Sequence, residues 1–170
     1  MPHTNSADGT KLVYDRVGDG PAVVIIGGGP TTRVVNAELA ALLGADCTVY
    51  NYDRRGHGDS GDTPPFHPDR EYEDVAAMLA AAGGEAAVLG SSGGAVIALE
   101  AAVRGLPITR LALWEPSYIA PGTRPAVPAG YADRLAALIA EGCSRTRSGH
   151  AAGSCSDGAR TRSSPSSGRQ

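Results

Sequence analysis

Five residues, Gly90-Ser91-Ser92-Gly93-Gly94, constrain this chain more than any others. Ahead of them, Ala86-Ala87-Val88-Leu89 is a short apolar run that predicts a strand. Behind them, Ala95 to Val103 predicts a helix. A serine held between strand and helix on so tight a turn must adopt strained backbone, so its neighbours need almost no side chain. Ser91, Gly93 and Gly94 meet that demand. The pattern Gly-x-Ser-x-Gly in this setting reads as a nucleophile elbow with Ser92 at its apex. The helix N-terminus then directs backbone N–H groups at any negative charge that develops there. The plain alternative is a Gly/Ser-rich turn joining a strand to a helix.

A second motif suits the first. Ala22-Val23-Val24-Ile25-Ile26 is a continuous apolar run, as expected of a strand buried on both faces, and it ends in Gly27-Gly28-Gly29-Pro30. Such a loop lets backbone approach a ligand closely. It can supply one oxyanion N–H, from Gly29 or else Gly28, while Gly93 supplies the other. A phosphate cradle would need a following Lys-Ser or Lys-Thr, which is missing. A strand-to-helix turn without chemistry is the remaining reading.

With these residues in place, the chain resembles the α/β-hydrolase fold family. The resemblance rests on Gly27 to Pro30, Tyr52-Asp53-Arg54-Arg55-Gly56-His57-Gly58-Asp59-Ser60, Gly90 to Gly94 and Leu111-Ala112-Leu113-Trp114-Glu115-Pro116, and covers about residues 9 to 142. Family members often carry His before the oxyanion glycines and before the nucleophile, where this chain has Gly27 and Ser91. Neither change removes a residue that the chemistry needs. The resemblance implies a serine hydrolase acting on an ester or similar small acyl substrate, without a cofactor. It also implies a sheet that would normally continue for two more strands carrying the acid and the catalytic His.

Gly56-His57-Gly58-Asp59-Ser60-Gly61 matches the dinucleotide pattern Gly-x-Gly-x-x-Gly, but Asp62-Thr63-Pro64-Pro65-Phe66 follows as a loop. The dinucleotide pattern must open a helix, so nucleotide binding is rejected. His57 precedes Ser92, whereas the family order is Ser, acid, His; His57 is given a structural role. Glu115 ends the strand after the nucleophile helix, a position where some family members place the acid. It is carried as the candidate acid, beside its reading as a turn carboxylate before Pro116.

The rest alternates between β and α. Lys11 to Val17 reads as an exposed edge strand, Thr48 to Tyr52 as a further strand and Arg110 to Trp114 as the last. Helices are expected over Val34–Leu43, Pro68–Ala82 and Tyr131–Ala140. This predicts an α/β fold, a mainly parallel sheet with helices on both faces, and ligand contacts at the carboxyl ends of strands. Gly29, Ser92 and Glu115 all fall there.

The 170 residues carry a net charge of −3, no apolar stretch long enough to cross a membrane and three scattered cysteines. A cytoplasmic protein is expected, with no nucleic-acid or membrane partner, no disulfide framework and no metal site. After Gly142 the character changes. Residues 143–170 hold no Val, Ile, Leu, Met or aromatic residue, and five Arg against one acid, Asp157. They are expected to be disordered. Domain 1–142 is thus read as a partial hydrolase domain with a cap beginning at about 117–142. The tail reads as the product of a frameshift, or as a truncation, that leaves out the last strands. His150 is the one His after Ser92, without an acid beside it, and is not assigned as the base. Two other readings stand beside the hydrolase: a catalytically incompetent remnant, and a binding protein using the pocket or the basic tail. Because the strand at Arg110–Trp114 would lie uncovered, self-association through that edge is expected.

Overall fold

A computed structural model describes residues 1–118, 122–123, 125 and 127–140. The chain divides into two compact units, Met1–Ile119 and Ala120–Gln170. The tail residues 143–170, His150 included, lie outside the described residues.

The first unit is built on one six-stranded sheet. Its strands are β1 (His3–Asn5), β2 (Lys11–Val17), β3 (Ala22–Ile26), β4 (Thr48–Tyr52), β5 (Ala86–Ser91) and β6 (Ile108–Trp114). The order across the sheet is β1-β2-β4-β3-β5-β6. The β3–β4, β3–β5 and β5–β6 pairs are parallel, and the first two strands join antiparallel. β3 and β4 occupy its centre; the continuous apolar run of β3 suits a strand covered on both faces, and all five residues of β4 are buried, Thr48 and Asn51 included.

The helices are α1 (Ala37–Leu43), α2 (Pro68–Ala81) and α3 (Gly93–Val103). Ile25 packs with Ala40 and Val49, and Leu43 lies against them. Its neighbours Val24 and Ile26 instead pack with Val75, Met78 and Leu79 of α2 and Ile97, Ala98 and Ala101 of α3. Successive strand residues point to opposite faces. So α1 covers one face of the sheet, and α2 and α3 cover the other, as expected from the alternation. In the second unit, Tyr131–Ala140 forms α4 as its periodicity predicts.

Two expectations are corrected. Lys11–Val17 is not the edge: β1 pairs with it, His3 against Val13 and Asn5 against Lys11. A three-residue polar strand leaves no period to read, but the turn between the two is firm. Ser6 N–H donates to Thr10 O at 2.8 Å, and Gly9 turns with φ 85°. The helix expected from Val34 starts instead as a 3-10 turn, Arg33–Asn36, and becomes α-helical only at Ala37. The reason is tertiary. The Arg33 carbonyl accepts from Asn51 Nδ2 at 2.7 Å, and Arg33 N–H donates to Asp53 Oδ1 at 2.7 Å. Both groups are thereby tied to the sheet at the point where the helix begins.

Candidate active site

The carboxyl ends of β3 and β5 bring the two glycine motifs together. Ser92 has φ 50° and ψ −116°, a left-handed backbone that non-glycine residues rarely adopt. Two sets of hydrogen bonds hold it there. Its N–H donates to Trp114 O at 2.8 Å, tying the elbow to the end of β6. Its carbonyl accepts from Ala95 and Val96 N–H at 3.1 and 3.3 Å, starting α3. Strain of this kind persists only where the surroundings over-determine it, and it concentrates at functional sites.

Glycine is required here by close approach. A Cβ at Gly94 would lie well inside van der Waals contact of the Ile26 carbonyl oxygen and 2.6 Å from that of Gly27. The start of α3 therefore rests directly on the end of β3. A Cβ at Gly28 would lie 2.6 Å from Ser91 O and 2.8 Å from Ser92 Cβ, so the loop after β3 lies against the elbow. Gly29, at φ 49°, brings its amide nitrogen to 3.7 Å from where a Gly93 Cβ would stand. The Gly29 and Gly93 backbones thus sit side by side next to Ser92, as the sequence motifs require.

The carbonyls of this loop are occupied elsewhere. Thr31 Oγ1 donates to Gly28 O at 2.5 Å, and Arg54 Nη1 reaches Gly29 O at 3.5 Å. Arg54 is itself held by Glu71 of α2, through Nε at 3.1 Å and a close Nη2 contact. Burial works against the Arg54 charge, but Glu71 more than restores it and raises its pKa.

The segment read from sequence as a structural turn after β4 is an ionic lock. Asp53, its side chain wholly inaccessible, accepts from Asp59 N–H at 2.9 Å and from the Arg33 guanidinium. Arg33 also reaches Asp59 at 2.8 Å and Asp15 at 3.2 Å. His57 Nδ1 faces Arg55 O at 2.7 Å, which makes that nitrogen the donor and occupies it locally. Beneath the turn, burial first, and then Glu71 and Asp74, push the Tyr52 hydroxyl far above its ordinary value. It stays protonated and is no base.

The hydroxyl of Ser92 is exposed, and its hydrogen-bond partner among the described residues is Ser117 Oγ at 2.9 Å. No His or carboxylate among the described residues bonds to it. Glu115 sits at the turn after β6 with φ 47°, exposed, and makes no hydrogen bond or ion pair with the described residues. Sequence reasoning missed Ser117 and the anchor behind it. Tyr118 Oη donates to Glu100 Oε1 at 2.9 Å, Arg104 Nη1 donates to Glu100 Oε2 at 2.5 Å, and the Arg104 guanidinium lies 3.9 Å over the Tyr72 ring. Arg104 first, then Tyr118, lowers the pKa of the Glu100 carboxyl. The one signal in the sequence was Glu100 itself, a lone acid in the apolar helix Ala95–Val103. Among the described residues no group of three or more His, Cys, Asp or Glu could hold a metal ion, and no helix is long and apolar enough to cross a membrane.

Comparison with known proteins places this geometry. A model of the "Alpha/beta hydrolase family" matches residues 23–164, a span that runs past Gly142. The chain is 53% identical to the crystal structure of an alpha/beta hydrolase from Sphaerobacter thermophilus, over 83% of this chain and 55% of that one, with a TM-score of 0.79. It is 30% identical to an esterase from Rhodococcus sp., over 71% of this chain and 48% of that one, with a TM-score of 0.63. It is 28% identical to a hydrolase from Pseudomonas aeruginosa, over 81% and 52%, with a TM-score of 0.69. The chain spans about half the length of these solved structures.

Proposed function

Since this chain belongs to the alpha/beta hydrolase family, we propose that it acts on an ester or similar acyl compound through Ser92, with the Gly29 and Gly93 N–H groups as its oxyanion hole. The observation that carries this reading is the left-handed Ser92 backbone at the strand-to-helix turn, packed directly against the Gly28-Gly29 loop. A folding motif alone has no need of a strained serine there. The likeness to a Rhodococcus esterase supports the acyl substrate class. In the first step Ser92 Oγ bonds to the carbonyl carbon, the carbonyl oxygen takes the negative charge and faces the two N–H groups, and the hydroxyl proton passes to solvent water at this exposed serine, from which the departing alkoxide later takes one to leave as the alcohol. Collapse of the intermediate expels the alcohol and leaves an acylated serine. Cytoplasmic placement is part of this reading, and Glu115 stays the candidate acid.

A second reading is favoured by one contact: Ser92 Oγ shares its hydrogen bond with Ser117, a hydroxyl, and a hydroxyl is a poor proton acceptor. On this reading the chain is a remnant that acylates slowly and does not turn over. An oxyanion hole without a working triad leaves a residual rate roughly 10³-fold over water. The expected result is a single fluorophosphonate adduct by intact-mass spectrometry, formed slowly and absent in Ser92→Ala, with p-nitrophenyl acetate hydrolysis close to buffer. An adduct that persists in Ser92→Ala sinks the nucleophile assignment. Brisk turnover lost in Ser92→Ala removes the remnant reading, and His150→Ala then asks whether the base lies in the tail.

A further inference from the structure

An oxyanion hole at Gly29 depends on which way one peptide faces, the peptide joining Gly28 to Gly29. A peptide between two glycines turns over at little cost, because each glycine enters backbone regions closed to other residues. One orientation turns the Gly29 N–H toward the elbow. The other turns the Gly28 carbonyl oxygen there, where it would repel an oxyanion. The two glycines themselves do not choose between these states.

Thr31 makes the choice in this structure. Its Oγ1 donates to Gly28 O at 2.5 Å, a hydroxyl bond that reaches back three residues along the chain. The peptide is trans and planar, so with its carbonyl turned to Thr31 its N–H points the other way. Gly28 is buried, which makes its carbonyl dependent on this donor. Gly27 leaves room for the hydroxyl: a Cβ there would stand 3.1 Å from Thr31 Oγ1, tighter than such atoms ordinarily pack. The next peptide is held separately, by Arg54 Nη1 at 3.5 Å from Gly29 O, and Pro30 has no N–H to offer. Among the described residues, Thr31 is therefore the group that bonds to the Gly28–Gly29 peptide.

We propose that Thr31 is a positioning residue for the reaction at Ser92: its hydroxyl holds the Gly28–Gly29 peptide with the N–H presented to the oxyanion, given the nucleophile and hole proposed above. Without that hydroxyl, the Gly28 carbonyl has a better place to face. Gly93 stands at the first turn of α3, where its N–H has no intrahelical acceptor. The peptide turns over, its carbonyl oxygen takes that N–H, and the hole is filled by the protein's own backbone.

The test compares two variants without the hydroxyl, Thr31→Val and Thr31→Ala, with Thr31→Ser, which keeps it. The first readout is the rate at which a fluorophosphonate labels Ser92 in the 170-residue chain. The second is the HN–Hα couplings of Gly29 by NMR, which report its φ and so the direction of the peptide. Losing one oxyanion donor costs roughly 10²–10³-fold in a working enzyme, so both hydroxyl-free variants should label at least about tenfold more slowly. Their Gly29 φ should leave the positive value of 49° that it has here. Thr31→Ser should recover the parent's labelling and couplings. Parent-like labelling or an unchanged Gly29 φ in the hydroxyl-free variants overturns the proposal, as does a Thr31→Ser that behaves like Thr31→Val. The couplings need no reaction. A parent chain that does not label at Ser92 sinks the hydrolase reading, and Gly29 φ still decides whether Thr31 sets the peptide.

Discussion

Replacing Arg55 by Met is expected to remove about 3–5 kcal/mol of stability, a large part of the roughly 5–15 kcal/mol available to a domain. Arg55 ties three elements together. Its Nε and Nη2 grip both oxygens of Asp74 on α2 at 2.8 and 2.7 Å, and Nη1 reaches Asp8 in the β1–β2 turn at 3.0 Å. The Asp74 side chain is wholly inaccessible. Methionine fills most of the volume but leaves that carboxylate buried without a counter-charge, and this is where the loss arises. Acid should narrow the difference. Hydrogen bonds from Arg55, then Thr10, hold the Asp8 pKa well below its ordinary 3.8. A depressed carboxylate contributes its stability above the ordinary value and loses it as pH falls through its own lower one. Burial pushes Asp74 the other way, with Arg55 opposing, so protonating Asp74 relieves the variant more than the parent. Urea midpoints at pH 7 and about pH 3 check this. A gap that is small at pH 7, or that widens in acid, would show that the pair is not what holds these elements.

Gly94→Ala is expected to cost about 3 kcal/mol or more and to abolish Ser92 labelling, while Gly93→Ala folds normally. The two glycines are neighbours in sequence and opposite in consequence. At Gly94 a methyl group would collide with the Ile26 and Gly27 carbonyls, both backbone, which yield only if α3 lifts off β3. That movement unseats the Ser92 turn. At Gly93 the methyl meets nothing nearer than Gly29 N at 3.7 Å, an ordinary contact. A helical position gains from alanine over glycine, by roughly 0.5–1 kcal/mol. Thermal melts of both variants, with fluorophosphonate labelling beside them, separate the cases. If Gly94→Ala melts with the parent and still labels, the close packing of α3 on β3 is not what shapes the elbow.

Much of the architecture was legible because it depends on local periodicity. The buried run at Ala22–Ile26 and the strand read at Thr48–Tyr52 formed at those same boundaries, and α4 matched its apolar spacing. The family resemblance, drawn from four short motifs, is borne out by the match over residues 23–164. Parallel pairing and helices on both faces followed from the alternation of strand and helix. What did not follow were contacts between residues far apart in the chain. His3–Asn5 is too short to carry a period, so β2 was mistaken for an edge. Val34 to Asn36 looked like the start of a helix, and the bonds of Arg33 to Asn51 and Asp53 tie that start to the sheet as a 3-10 turn.

The site divides in the same way. Sequence alone determined Ser92 as the strained residue, because a turn between strand and helix flanked by glycines leaves one position able to present a side chain. It also determined which glycines must come near, since their motifs end neighbouring strands. Tertiary structure decided what surrounds the hydroxyl. The turn after β6 brings Ser117, not Glu115, to Ser92, and Tyr118 anchors that turn to Glu100 on α3. These contacts span 18 to 25 residues of chain. They depend on where a strand ends and how its turn folds back, and no local pattern of residues encodes that direction.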